Sequence, residues 1–153
     1  MRIWRLCRRE HSRDPFGGRG GLYVAGRWHP RGRRVVYASS TLSLAALEIL
    51  GHVDKDLVPP DLVSLEVEIP EILEIERIDP TALPADWRTY PAPPALQSLG
   101  AEWIDRGEAA VLEVPSAVIP QESNYLLNPS HAGAGRIRAV RTEEFFFDPR
   151  LFV

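Results

Sequence analysis

Val35-Val36-Tyr37-Ala38-Ser39-Ser40-Thr41-Leu42-Ser43-Leu44-Ala45-Ala46-Leu47-Glu48-Ile49-Leu50 reads as strand, cap and helix. Val35–Ala38 is β-prone and predicts a buried strand. Ser39-Ser40-Thr41 supplies an N-cap, and the run from Leu42 to about Val53 predicts a helix. Apolar residues lie nearly all round that helix, so most of its faces are expected to be buried. Glu48 is the exception, because no other charged side chain lies between Arg34 and His52. A buried, unpaired carboxylate is strongly destabilising, so Glu48 should be paired or face a cavity. The competing reading is an amphipathic helix whose narrow polar face is Ser43, Glu48 and Gly51.

Working outward, Ile3–Leu6 predicts a short first strand, and residues 12–34, rich in Gly, Arg and Pro, predict loops with one hairpin. Leu62–Ile69 alternates Val63, Leu65, Val67 and Ile69 with Leu62, Ser64, Glu66 and Glu68, the pattern of a half-buried strand stopped by Pro70. Leu73–Ile78 predicts another strand. Residues 79–94, proline-rich and containing Trp87, predict a surface connection with a short helical turn. Pro94–Arg106 predicts a second helix, closed by Gly107. Ala109–Val114 predicts a strand ended by Pro115, residues 115–135 a long polar loop, and Ile137–Phe147 a final strand. The order does not alternate strictly, which favours an α+β or mixed-sheet α/β domain over a doubly wound sheet. At 153 residues, a single domain spanning 1–153 is expected.

Composition narrows the function classes. One cysteine, Cys7, excludes an internal disulfide framework and a cysteine zinc site. No apolar run reaches membrane-spanning length, and the N-terminus lacks a signal-peptide core, so a cytoplasmic location and no membrane association are expected. The charge is lopsided. Residues 1–40 hold ten arginines against Glu10 and Asp14, while the remainder holds eight basic residues against nineteen acids. That asymmetry fits either a cationic face for a phosphate-bearing ligand or acidic partner segment, or a plain solvated arginine surface. The net charge of −3 and the lack of a recognised motif argue against direct nucleic-acid binding.

Four further positions could carry chemistry. In Gly26-Arg27-Trp28, glycine permits close backbone approach and Arg27 offers a fork for phosphate, although Gly-Arg is also a common loop pair. Tyr37, just before the Glu48 helix, is either an aromatic platform for a flat ring or a core tyrosine with a satisfied hydroxyl. Ser116, after Pro115, is either a ligand hydrogen-bonder or a turn residue. Asn128 lies in the polar loop. The four histidines have no metal-ligand spacing, so no metal is expected. Gly17-Gly18-Arg19-Gly20-Gly21 matches neither a Rossmann fingerprint nor a P-loop, and no Gly-x-Ser-x-Gly elbow occurs.

Taken in order, these segments resemble the RES-domain family, named for an arginine, a glutamate and a serine. Here those are Arg27 in Gly-Arg-Trp, Glu48 in Ala-Ala-Leu-Glu and Ser116 in Val-Pro-Ser-Ala-Val. Val35–Ser39, Asn124-Tyr125-Leu126-Leu127-Asn128-Pro129 with His131, and Phe147-Asp148-Pro149-Arg150-Leu151 extend the resemblance over essentially the whole chain. Ala25 departs from it, standing where the family usually has a second glycine.

The resemblance implies an ADP-ribosyltransferase-like fold and the toxin half of a bacterial RES–Xre toxin–antitoxin system. It implies cleavage of the nicotinamide–ribose bond of NAD⁺, as glycohydrolase or phosphorylase, or as a transferase that modifies a protein. NAD⁺ is then the substrate, inorganic phosphate a possible co-substrate, and no separate cofactor is needed. The implied partner is a helix-turn-helix Xre-type antitoxin that blocks the cleft. On this reading Glu48 faces the ribose, Arg27 a phosphate and Tyr37 the nicotinamide ring, while Ser116 and Asn128 orient nicotinamide or ribose. The competing classes are a non-catalytic nucleotide-binding module and a plain structural protein.

Overall fold

Thr41 does what the cap reading requires: its Oγ1 accepts the Leu44 N–H at 3.0 Å and starts helix α1, Leu42–His52. The computed structural model describes residues 1–152; Val153, the end of the expected domain, lies outside the described residues. The other elements are β1 (Arg2–Arg8), β2 (Val36–Ser39), β3 (Leu62–Glu68), β4 (Ile75–Arg77), helix α2 (Pro94–Arg106), β5 (Val111–Pro115), β6 (Ser123–Leu127) and β7 (Arg138–Phe145). All seven strands join one sheet in the order β4-β5-β6-β2-β1-β3-β7. Only the β4–β5 pair is parallel, so this is the expected α+β, mixed-sheet architecture.

The back face of the sheet is a continuous apolar core of Ile3, Val36, Ala38, Val63, Leu65 and Val67, with Tyr125 and Leu127 of β6. The front face is shared between the helices. α2 covers β5 and β6, burying Leu96 and Trp103 against Leu112, Val114 and Leu126, with Trp28 and Val35 alongside. Pro94 opens α2, and Gly107 ends it in the left-handed conformation at φ 63°. Mid-helix Gly100 is there for space: a Cβ would sit 1.6 Å from the Trp28 carbonyl oxygen. α1 packs over β1 and β2.

Three expectations need correction. The loop expected over 115–135 contains β6, paired with β2 on one side and β5 on the other. Its sequence, Ser-Asn-Tyr-Leu-Leu, is too short and too polar at one end to show a strand period. Residues 12–34 form a 3-10 turn at Arg19–Leu22 and a single bridge between Gly26 and His29 rather than a hairpin. β1 is longer than Ile3–Leu6, because it is zipped along its full length to β3.

Candidate active site

Strand register lays out the floor of a cleft under α1. Asn124 stands opposite Ser39, and Ser39 opposite Trp4, so these three side chains form one row across β6, β2 and β1. A cavity of about 350 Å³ opens above this row, with Glu48 and Ile49 of α1 on one wall and Gly26-Arg27-Trp28 on the other.

Glu48 is gripped by one oxygen. Its Oε1 accepts the Ser116 hydroxyl at 2.6 Å and the Asn124 amide at 2.6 Å. Among the described residues nothing donates to Oε2, which is left for the cleft. Ser39 donates to Asn124 Oδ1 at 2.7 Å, which fixes which end of that amide meets Glu48. Ser116 is itself locked, since its Oγ accepts the Val118 and Ile119 N–H groups at 3.1 and 3.0 Å. The carboxylate predicted to need a partner thus has two charge-assisted bonds on one side and open space on the other.

Tyr37 puts its ring in the cavity wall and its hydroxyl into the protein. His29 Nε2 lies 2.9 Å from the Val24 carbonyl, so that nitrogen carries the proton; Nδ1 then accepts the Tyr37 O–H at 2.8 Å. The Tyr37 oxygen also accepts the Trp28 N–H at 3.3 Å. Burial pushes the Tyr37 phenol well above its ordinary range, outweighing the opposing effects of the Trp28 bond and the Arg27 charge. Burial likewise holds His29 below its ordinary value, against the raising effect of the Val24 bond. Both directions agree with a neutral Tyr–His pair. Gly26 makes this packing possible, because a Cβ there would lie 2.7 Å from the His29 ring and 2.8 Å from the Tyr37 hydroxyl.

Arg27 is aimed by the proline-rich connection. Its Nη1 donates to the carbonyls of Trp87 and Thr89 at 2.8 and 3.0 Å, leaving the rest of the fork for the cleft. Burial lowers its pKa, opposed by the charge of the nearby Glu48 carboxylate. Ala25 causes no strain, since no residue other than glycine has a positive φ among those described.

Of the five residues singled out from sequence, Arg27, Tyr37 and Glu48 line the cavity together. Ser116 is fully buried behind Glu48 and positions it, rather than meeting a ligand. Asn128 does not line the cavity. Its Oδ1 accepts the Ser130 N–H at 3.0 Å and its Nδ2 donates to the Ile104 carbonyl at 3.3 Å, so it closes the turn after β6. Sequence reasoning misses Asn124 and Ser39 as Glu48's supports, and Arg5 and Trp4 as lining residues. Asn124 and Asn128 differ by four positions in the same segment; only the strand pairing separates them. Among the described residues no group of three or more His, Cys, Asp or Glu side chains could hold a metal, and no helix is long and apolar enough to cross a membrane.

A family model described as RES domain matches residues 2–148. The chain belongs to the RES-domain family. A RES-family relative from Sphingobium sp. (strain YBL2), named Prs ADP-ribosylating toxin, is 34% identical over 97% of this chain and 95% of its own length. One from Pseudomonas putida, named Toxin Res, is 37% identical over 99% of this chain and 100% of its own. One from Photorhabdus laumondii, also named Toxin Res, is 36% identical over 99% and 97%. Among solved structures, a chain of the M. tuberculosis MbcT–MbcA toxin–antitoxin complex superposes with a TM-score of 0.77. It covers 99% of this chain and 86% of its own at 14% identity, a likeness of fold.

Proposed function

We propose that this RES-domain chain is the toxin of a toxin–antitoxin pair and that its cleft breaks the nicotinamide–ribose bond of NAD⁺. The observation that carries the reading is Glu48: a carboxylate held through Oε1, with no donor to Oε2 among the described residues, in the wall of a cavity that Arg27 and Tyr37 also line.

The bond leaves its electron pair on nicotinamide, which departs neutral from a cation. The ribose carbon left behind becomes oxocarbenium-like, as in glycoside cleavage. A fixed carboxylate beside it stabilises that charge without having to reorient. Arg27 holds a phosphate, and the Tyr37 ring offers a flat face to nicotinamide. The carbon then takes an oxygen from water or from inorganic phosphate, and the proton of the acceptor passes to solvent.

The Sphingobium relative's name, which describes it as ADP-ribosylating, favours a second reading in which a protein side chain is the acceptor. Incubating the purified chain with NAD⁺, with and without inorganic phosphate, and with labelled NAD⁺ in lysate separates the two. Free nicotinamide and ADP-ribose, or its 1-phosphate, without a labelled protein band supports glycohydrolase or phosphorylase action. A labelled band supports transfer. Neither product in any arm overturns the enzymatic reading. The antitoxin partner, of the helix-turn-helix Xre type, inserts an acidic segment toward Arg27, and its inhibition should weaken with salt and with Arg27→Gln. Inhibition indifferent to both would remove that part of the proposal.

A further inference from the structure

We propose that His52 is the general base of the cleft and takes the proton of the water that attacks the ribose carbon. The proposal rests on the NAD⁺ reading given above and supplies the group that activates its acceptor.

Glu48 and His52 stand four residues apart on α1, so their side chains are neighbours on one helix face. Both line the cavity. His52 is exposed at its end of the helix, so a proton taken there passes on to solvent. Its Nδ1 lies 2.6 Å from the Glu48 carbonyl oxygen. A carbonyl only accepts, so Nδ1 carries the proton of the neutral ring and Nε2 keeps a lone pair. Among the described residues Nε2 has no hydrogen-bond partner.

Elimination among the described residues that line the cavity leaves His52 alone in this role. Arg5 and Arg27 are cations with no lone pair to offer. The Tyr37 hydroxyl is turned into the protein and bonded to His29. Ser39 donates to Asn124, and Asn124 holds Glu48; neither a hydroxyl nor an amide is a base at neutral pH. Apart from glycine, the remaining lining side chains are hydrocarbon or indole. Glu48 is a base, but it is needed as a charge. A carboxylate that takes the water proton becomes neutral and no longer stabilises the ribose cation. A separate, uncharged base one helical turn away leaves that charge in place.

The bond from ribose C1′ to the nicotinamide nitrogen breaks, and its electron pair leaves with nicotinamide. The water oxygen bonds to C1′, its proton goes to His52 Nε2, and the imidazolium returns that proton to solvent. An acceptor that is already an anion needs no base.

The competing role is a helix end, with a histidine in the last turn bonding a carbonyl of its own helix. Glutamine keeps an N–H for that carbonyl and takes no proton, so His52→Gln separates the two roles. Nicotinamide release and its co-product are measured on wild type and His52→Gln in alkaline buffer, with azide, with phosphate dianion, or with neither. Release to water should fall about 100-fold in His52→Gln. At least one of the two anions should return it to within about threefold of wild type, giving ADP-ribosyl azide or ADP-ribose 1-phosphate. Release to water unchanged in His52→Gln, or lost and restored by neither anion, would overturn the proposal while leaving the Glu48 chemistry standing. Wild type that releases no nicotinamide in any arm would remove the NAD⁺ reading with it.

Discussion

The two halves of the front face meet on one strand, β6, and end in opposite chemistry. Under α2, Leu96, Trp103, Leu112 and Leu126 are each at most 1% exposed and pack as one apolar cluster. Under α1, the equivalent row is Trp4, Ser39 and Asn124, and a cavity opens beside it, lined by this row and by Glu48 and Ile49 of the helix. β6 serves both halves: Leu126 goes to the α2 core, and Asn124, two residues earlier on the same face, goes to Glu48. One half stabilises the fold by burial; the other uses polar residues to hold a carboxylate. The lesson is that stability and chemistry can be perturbed separately here, even within one five-residue strand.

The largest separation should come from Trp103→Ala. It empties a fully buried site and should destabilise the chain by about 3–5 kcal/mol, measured by denaturant unfolding. A loss under about 1 kcal/mol would mean that the α2 half is not the stabilising core. Asn124→Ala, on the other half, removes one of two donors to Glu48 Oε1 and should slow NAD⁺ cleavage by about 10- to 100-fold. Turnover at the wild-type rate would show that Glu48 does not depend on that grip. Tyr37→Phe keeps the ring but orphans His29 Nδ1 and the Trp28 N–H; it should lower stability by about 1–3 kcal/mol while turnover changes by less than about threefold. A large loss of turnover would instead give the hydroxyl a direct role.

The smallest effect concerns pH. His29 is held neutral, so below about pH 6.5 the unfolded chain binds a proton that the folded chain resists. Its contribution is therefore complete above about pH 6.5 and is lost as pH falls from there toward the lowered folded value. Tm should drop between pH 7 and 5.5 by more in wild type than in His29→Gln. Equal drops would mean that His29 does not titrate with folding.

The α1 half is largely legible from the sequence alone, because its signals are local. Thr41 caps, Glu48 is the lone charge in an apolar helix, and Gly26 precedes Arg27 within one loop. What escapes depends on pairing between distant segments. β6 reads as loop because Ser123 and Asn124 are turn-prone, yet two neighbouring strands hold it. Ser116 and Asn128 both read as ligand contacts. One positions Glu48 across 68 residues, the other closes a turn, and nothing in either local sequence distinguishes them. Arg5 escapes for the same reason. An arginine on a predicted strand reads as surface, yet Arg5 lines the cavity and donates to the Tyr37 carbonyl. The N-terminal arginines divide by place: Arg2, Arg8 and Arg33 pair with carboxylates at the surface, while Arg5 and Arg27 line the cavity.

The most direct test of the account is nicotinamide release by Glu48→Gln beside wild type, with NAD⁺ affinity measured on the same samples. The account predicts release slowed at least about 1000-fold, on the scale of losing a preorganised charge in a closed site, with the fold and NAD⁺ binding retained within about tenfold. Release at near the wild-type rate by a folded, NAD⁺-binding Glu48→Gln would contradict it.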